Sequence, residues 1–89
     1  MLMLIYQKRF EKDIKKAKKR GGNMLKLESI VLKLLEEESL PLKNRKHKLT
    51  GKFEGYWECH IEPDWLLIYK KTSEAIILVR TGTHSDLFG

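Results

Sequence analysis

The sequence predicts an α+β fold in which an N-terminal strand and a two-helix hairpin pack on a mainly antiparallel β-sheet, in the order β-α-α-β-β-β. The first half contains two segments in which apolar residues recur every three or four positions, the period of a helix. The second half contains three short apolar segments separated by turn residues. With 89 residues the chain is long enough for one domain and not for two, so residues 1–89 are expected to form a single domain.

The chain begins with an apolar run at residues 2–6, bounded by charge, which indicates a short buried strand. Residues 8–20 and 24–38 follow as amphipathic helices. The pair Gly21-Gly22 ends the first helix, and Asn23 can cap the second. Because the link between them is short, the two helices should form a hairpin.

After a predicted loop at residues 39–52, residues 53–62 alternate between the two faces of a strand. The odd-numbered side chains, Phe53 among them, are expected to lie under the helices. The even-numbered side chains are expected on the other, partly open face. Glu58 and His60 are therefore predicted to be neighbours on one face, about 6.5–7 Å apart along the strand.

The last two strands are expected at residues 65–71 and 75–81. A turn at Pro63-Asp64 joins the first of them to the preceding strand, and residues 72–74 make a hairpin connection. Successive hairpins make these three strands antiparallel. Residues 82–89 are expected to follow as a mostly polar tail.

The positive charge is concentrated in the first half of the chain. Residues 1–52 hold 15 basic and 6 acidic side chains, whereas residues 53–89 hold 3 basic and 6 acidic ones. A basic cluster at residues 8–20 fits either a polyanion partner or a solvated helix face. A second cluster at residues 43–52 lies in a loop, contains a histidine and has no acidic residue, so we expect an anion site there.

Several classes of protein are excluded by composition. No apolar run approaches the roughly 18 residues of a membrane span, and the first residues lack the features of a signal peptide. The single cysteine, Cys59, rules out an internal disulfide and a zinc site built on several cysteines. Its position on the covered face of a strand favours an inert core thiol over a nucleophile. The expected class is a small soluble domain of the cytoplasm.

The chain has three histidines: His47 in the basic loop, His60 near the end of a strand, and His84 just after the last strand. One interpretation is a zinc site that they form with Asp64, although no short His-x-His or His-x-x-His pair is present. A second is that they are incidental surface residues. A third is metal-free acid–base chemistry on a phosphodiester.

Cleavage of RNA by its own 2′-OH needs a base for that hydroxyl, an acid for the departing 5′ oxygen and a cation for the charge at phosphorus. Imidazole exchanges protons near neutral pH and can take either proton-transfer role. Arg80, near the end of the last strand, is the candidate cation. Phe88, in the polar tail, either fills a hydrophobic groove or stacks on a base, and the sequence favours neither.

Three blocks of sequence resemble the YafQ-type toxins, which are ribosome-dependent mRNA interferases of the RelE superfamily in type II toxin–antitoxin systems. The blocks are HKLTGK at residues 47–52, HIEPDWLLIYK at residues 60–70 and RTGTHSDLFG at residues 80–89. They follow one another in the order and spacing of the family. The opening FEKD at residues 10–13 and LPL at residues 40–42 extend the resemblance over nearly the whole chain.

The resemblance implies the RelE-like fold, cleavage of mRNA in the ribosomal A site and neutralisation by a cognate antitoxin protein. It implies no metal ion and no other cofactor. The positions that match the family's motifs make His47, His60, Asp64 and His84 the catalytic group, with Glu58 accessory. RNA or phosphate binding is expected from a second set of residues: Arg80, Lys52, Lys48, Lys46, Phe88 and Trp65.

In one position the chain departs from the family, whose members commonly carry an arginine where this sequence has Trp57. Phosphate binding is therefore expected to depend more on Lys52 and Arg80, with codon preference and rate affected more than the reaction itself. A non-catalytic RNA- or ribosome-binding module remains the alternative, and an inactive antitoxin-binding relative is a third possibility. The observation that discriminates between them is whether the three histidines converge in the folded chain.

Overall fold

The sheet has five strands in the order β1-β5-β4-β3-β2, and the structure, a computed structural model, describes all 89 residues. β1 runs parallel to β5, and the other pairs are antiparallel. The prediction of an α+β fold is confirmed. In chain order the elements are β1 (Met3–Tyr6), α1 (Lys8–Lys19), α2 (Met24–Leu35), β2 (His47–Lys48), β3 (Trp57–Glu62), β4 (Trp65–Lys71), β5 (Ala75–Gly82) and α3 (His84–Phe88).

The helices α1 and α2 cover one face of the sheet, as the apolar spacing predicts. Phe10 of α1 and Leu27 of α2 are buried in a cluster with side chains of the three long strands, including Cys59 and Leu67. Asn23 caps α2 as expected, because its side chain accepts a hydrogen bond from the backbone N–H of Leu25. Most of the buried apolar surface therefore lies between the helices and the sheet.

The other face of the sheet carries a smaller apolar cluster of Leu66, Ile68, Val79 and Leu87. Leu87 belongs to α3, so the segment predicted as a polar tail is in fact a short helix that closes part of this face. Phe53 also packs here, which makes its predicted position under the helices wrong. The reason is that residues 51–53 form a 3₁₀ turn, and the strand alternation begins only at Trp57.

The prediction that the N-terminal strand is buried is wrong. β1 is an edge strand whose residues Met3, Ile5 and Tyr6 are exposed. An apolar run of strand length does not distinguish an edge position from a central one, because the pairing partner is supplied by a distant part of the chain. No helix in the structure has the length and apolar character needed to cross a membrane.

Candidate active site

The strand β2, which falls inside the predicted loop, places His47 beside the sheet. His47 lies directly opposite Glu58 in the antiparallel β2–β3 pair. The loop before β2 is held by the buried side chain of Asn44, whose Nδ2 donates to the carbonyl oxygen of His60 at 2.7 Å. A cross-strand pair brings two side chains to the same face of a sheet. The pairing therefore adds His47 to the Glu58–His60 face that the alternation predicts.

Glu58 lies between two imidazole rings. Its Oε1 is 3.3 Å from Nε2 of His47 and 3.4 Å from Nε2 of His60. Glu58 and His60 are only 4% and 6% exposed, whereas the side chain of His47 is half exposed. The buried carboxylate thus has a hydrogen-bonding group on each side, which a buried charge requires. The predicted placement of Glu58 and His60 on one face is confirmed, but both side chains are buried, so the face is not open at their positions as expected.

The surroundings of each ring determine which nitrogen carries a hydrogen. Nδ1 of His47 lies 2.8 Å from the carbonyl oxygen of Arg45, which can only accept, so this nitrogen is assigned as the donor. Its Nε2 faces the Glu58 carboxylate. Nε2 of His60 faces the same carboxylate, and Nδ1 is the other nitrogen of that ring.

His84 is held by the turn that joins β3 to β4. The Asp64 Oδ1 in that turn accepts the backbone N–H of His84 at 2.9 Å and lies 2.7 Å from the ring Nδ1 of the same residue. His84 is the first residue of α3, where backbone N–H groups have no partner inside the helix. These hydrogen bonds, first the backbone one and then that of the ring, lower the pKa of Asp64 below its usual range.

The three imidazole rings form a row. The ring centroids are 6.4 Å apart for His47 and His60, and 5.7 Å apart for His60 and His84. Two carboxylates contact the row: Glu58 lies between His47 and His60, and Asp64 lies against Nδ1 of His84. No three His, Cys, Asp or Glu side chains converge on a point that one metal ion could occupy. Imidazole and carboxylate groups that can give or take protons are therefore gathered at one place on the sheet.

Asp86 fixes the position of α3 against α1. Its carboxylate accepts hydrogen bonds from Nη1 of Arg20 at 2.6 Å and from Nζ of Lys16 at 3.2 Å. With Thr83 it also makes a capping box at the start of α3. The Arg20 hydrogen bond is the main reason that the pKa of Asp86 lies well below its usual range. The Asp86 side chain packs closely against Gly82, since a Cβ at Gly82 would lie 2.9 Å from the carboxylate.

Arg80, the predicted phosphate cation, is bound by a carboxylate of α1. Its Nε donates to Asp13 at 2.7 Å and its Nη2 at 3.3 Å, and the same carboxylate accepts the backbone N–H of Thr81. Asp13 is buried and closes the part of the β5 edge that β1, which ends at Tyr6, leaves uncovered. Nη1 of Arg80 makes no hydrogen bond to a side chain.

The aromatic residues of the predicted set differ in exposure. Phe88 is 49% exposed and meets Phe53 edge to face, with ring centroids 5.7 Å apart. It therefore packs on the protein and leaves about half of its surface exposed. Trp65 is buried and its Nε1–H donates to Oγ1 of Thr81 at 2.9 Å, so it lies in the core below the site. Burial raises the pKa of the fully buried Cys59 thiol to about 12, which agrees with an inert thiol.

The predicted lysines are exposed, and two of them lie across the sheet from the histidines. Nζ of Lys46 is 4.8 Å, and that of Lys48 5.3 Å, from the centroid of the Trp57 ring. Trp57 packs on the helix side of β3, whereas the next residue, Glu58, faces the histidines. Lys52 lies in the 3₁₀ turn and forms no ion pair.

Sequence reasoning missed Asp13 and Asp86. The spacing of Thr83 and Asp86 resembles a capping box and could have predicted both α3 and the position of the carboxylate. No comparable signal marks Asp13, because its partner Arg80 is 67 residues away along the chain. Ion pairs of this kind are visible only once the chain has folded.

Comparison with known proteins gives one consistent result. Residues 2–89 match the family described as bacterial toxin of type II toxin-antitoxin system, YafQ. The mRNA interferase toxin YafQ of Escherichia coli K12 is 42% identical over 85 residues, which cover 94% of this chain and 92% of the relative. The crystal structure of YafQ from E. coli BL21(DE3) is similar with a TM-score of 0.94 and 39% identity, covering 100% of both chains.

A chain in the crystal structure of the E. coli DinJ-YafQ toxin-antitoxin complex is also similar to this protein. The TM-score is 0.91 and the identity 40%, and the match covers 99% of this chain and 98% of that one. The likeness therefore extends over the whole length of both chains and includes the segments that carry the histidine row.

Proposed function

This chain belongs to the YafQ family of bacterial toxins of type II toxin–antitoxin systems, and from that we propose that it is an endoribonuclease, an mRNA interferase that cleaves ribosome-bound mRNA in the A site. Cleavage would stop translation in the cytoplasm, and a cognate antitoxin would hold the toxin inactive. The observation that carries the proposal is the row of three imidazole rings, with Glu58 between the first two and Asp64 against the third.

In the proposed reaction the 2′-OH of one nucleotide attacks the adjacent phosphate and the 5′ oxygen of the next nucleotide departs. One imidazole takes the proton of the 2′-OH and another gives a proton to the 5′ oxygen, so the reaction needs no metal ion. His84 suits the donor role because Asp64 holds its Nδ1 and leaves Nε2 toward solvent. Glu58 stabilises the positive charge that His47 or His60 acquires.

The surrounding residues supply charge and position. Arg80 offers its Nη1, which Asp13 does not bind, to the phosphate. Lys52, in the 3₁₀ turn between β2 and β3, adds a second cation. The exposed part of Phe88 can stack on a base next to the cleaved bond. Trp65 supports the site from below through its hydrogen bond to Thr81.

The test is single-turnover cleavage of mRNA positioned on purified ribosomes, with EDTA in a parallel reaction. The expected result is cleavage at the A-site codon, unaffected by EDTA at concentrations that leave the ribosomes intact, with a 2′,3′-cyclic phosphate at the new end. Substrate with a 2′-O-methyl group at the cleaved position should stay whole. Tight binding to ribosomes without cleavage would favour the non-catalytic alternative.

A further inference from the structure

The side chains of residues 46–48, which include the strand β2, alternate between the two faces of the sheet. His47 faces Glu58 on one side. Lys48 is paired directly across from Trp57 on the other, and Lys46, two residues away, projects to the same side. This three-residue segment therefore carries a histidine of the candidate active site on one face of the sheet and two cations on the other.

Both of these cations lie against the ring of Trp57. The ammonium groups of Lys46 and Lys48 lie 4.8 and 5.3 Å from the centroid of its ring, within the range at which the ring attracts a cation. The ring is half-buried and packs against the core under the helices. It is fixed by that packing and reduces the freedom of two otherwise flexible side chains.

The cations of this cluster are not neutralised. Neither lysine forms an ion pair, in contrast to Lys16 and Lys26, which bind Asp86 and Glu62. Residues 43–52 contain no acidic side chain. Two unpaired ammonium groups against one ring carry positive charge that a phosphate group can neutralise.

We propose that Lys46, Trp57 and Lys48 form a second phosphate-binding site for RNA, distinct from the site where the strand is cut. This proposal rests on the proposed function. Lysine acts on phosphate as a point charge and gives no base specificity, which suits a contact that positions RNA. The ring itself is covered by the ammonium groups, so Trp57 acts as a holder of cations and not as a surface on which a base stacks.

The phosphate at this site cannot be the one that is cleaved, because the strand β3 separates the cluster from the histidine row. β2 is the last strand of the sheet, so a chain of RNA can pass around its edge from one face to the other. The phosphate belongs either to the mRNA beyond the cleaved bond or to ribosomal RNA. Both sources share the same chemistry, and binding to two different probes separates them.

The experiment compares Lys46→Gln/Lys48→Gln with the parent protein in binding to two probes across a range of salt. One probe is a 2′-O-methyl RNA oligonucleotide, which cannot be cleaved by attack of its own hydroxyl. The other is purified 70S ribosomes without mRNA. The control Lys33→Gln/Lys71→Gln removes the same charge from α2 and the end of β4. For every phosphate that the variant no longer binds, the salt slope should fall by about 0.7, which corresponds to about fivefold weaker binding at 0.1 M salt.

Loss of affinity and slope on the oligonucleotide assigns the site to the mRNA strand, and loss on ribosomes alone assigns it to ribosomal RNA. Binding equal to the parent's on both probes, or an equal loss in the control, overturns the site. If the parent binds neither probe, the proposed function fails along with it. Two further variants test the ring while Lys46 and Lys48 stay in place. Trp57→Phe, which keeps an aromatic ring, should bind the RNA probe more tightly than Trp57→Leu. Equal binding of these two variants would show that Trp57 is not part of the site.

Discussion

One carboxylate oxygen, Oδ1 of Asp64, binds both the backbone N–H and the ring Nδ1 of His84, at 2.9 and 2.7 Å. The ring contact fixes which nitrogen of His84 faces outward. A side chain in the turn between β3 and β4 thus holds this histidine in one orientation.

His84→Ala should fold and lose cleavage. The side chain is more than half exposed and its removal leaves the capping box of α3 in place, so we expect little change in Tm. Loss of a general acid costs on the order of 10²–10⁴ in rate. Single-turnover cleavage on ribosomes together with a melting curve tests this. A rate within about threefold of the parent, far below that range, or an unfolded variant would show that the assignment is wrong.

The pKa of Asp64 is lowered, so its carboxylate should remain ionised at every pH above about 4. In His84→Ala the ring is gone but the backbone N–H, the larger cause, remains. The titration midpoint of Asp64 should therefore rise only part of the way to its ordinary value. The carbon chemical shift of the carboxyl group, followed by NMR against pH, measures both midpoints. A parent midpoint at or above the ordinary value contradicts the structure.

Asp86→Asn should destabilise the protein by about 1 kcal/mol at neutral pH, because the amide keeps the hydrogen bond from Thr83 but loses the charge that binds Arg20. The pKa of Asp86 is lowered in the folded protein, so its stabilisation is complete above about pH 5 and is lost as the pH falls below 4. Parent and variant should therefore converge in acid. Denaturant unfolding at several pH values tests this, and a difference that is as large at pH 2 as at neutral pH would rule it out.

The same substitution should also slow cleavage, because α3 carries His84 and Asp86 joins α3 to α1. Arg20→Gln removes the partner from the other side and should give a similar loss. In a double-mutant cycle the two changes should cost less together than the sum of the single changes, since they break one interaction. Additive effects would mean that the two residues act independently.

Glu58→Gln should fold and cleave more slowly. The carboxylate is buried and faces the Nε2 atoms of His47 and His60, so its charge stabilises whichever ring is protonated. We expect a loss of about tenfold or more, since an acid–base group depends on it. The exposed acid Glu54, in the preceding loop, provides a matched control as Glu54→Gln. Equal rates for the two variants would exclude a role for Glu58.

An acidic or amphipathic segment of the antitoxin should cover the basic surface and the histidine row. Residues 1–52 carry the excess of positive charge, which favours a partner of opposite sign. Hydrogen exchange of the toxin with and without its antitoxin should show protection in β2 and α3. Protection confined to the acidic turns around Glu37 and Glu74 would count against this surface.

Much of the fold could be predicted from local pattern. The helical spacing that includes Phe10 and Leu27 predicts which side of each helix is buried, and the alternation through Glu58 and His60 predicts that both share a face. Such periods depend only on neighbours along the chain. The alternation predicts the wrong face of the sheet for Phe53, because residues 51–53 form a 3₁₀ turn and no local signal marks the change.

Local sequence pattern predicts the class of fold, the limits of β4 and β5 to within a residue, and the three histidines as candidate site residues. The row that they form depends on the folded chain, because β2 pairs His47 with Glu58 and the β3–β4 turn holds His84. The tertiary structure also decided that Arg80 is bound by Asp13, and that Lys46 and Lys48 lie on the opposite face from His47. The physical reason is that strand pairing, register and ion pairs between distant residues are set by how the whole core packs, whereas helix and strand periods are set by residues close in sequence.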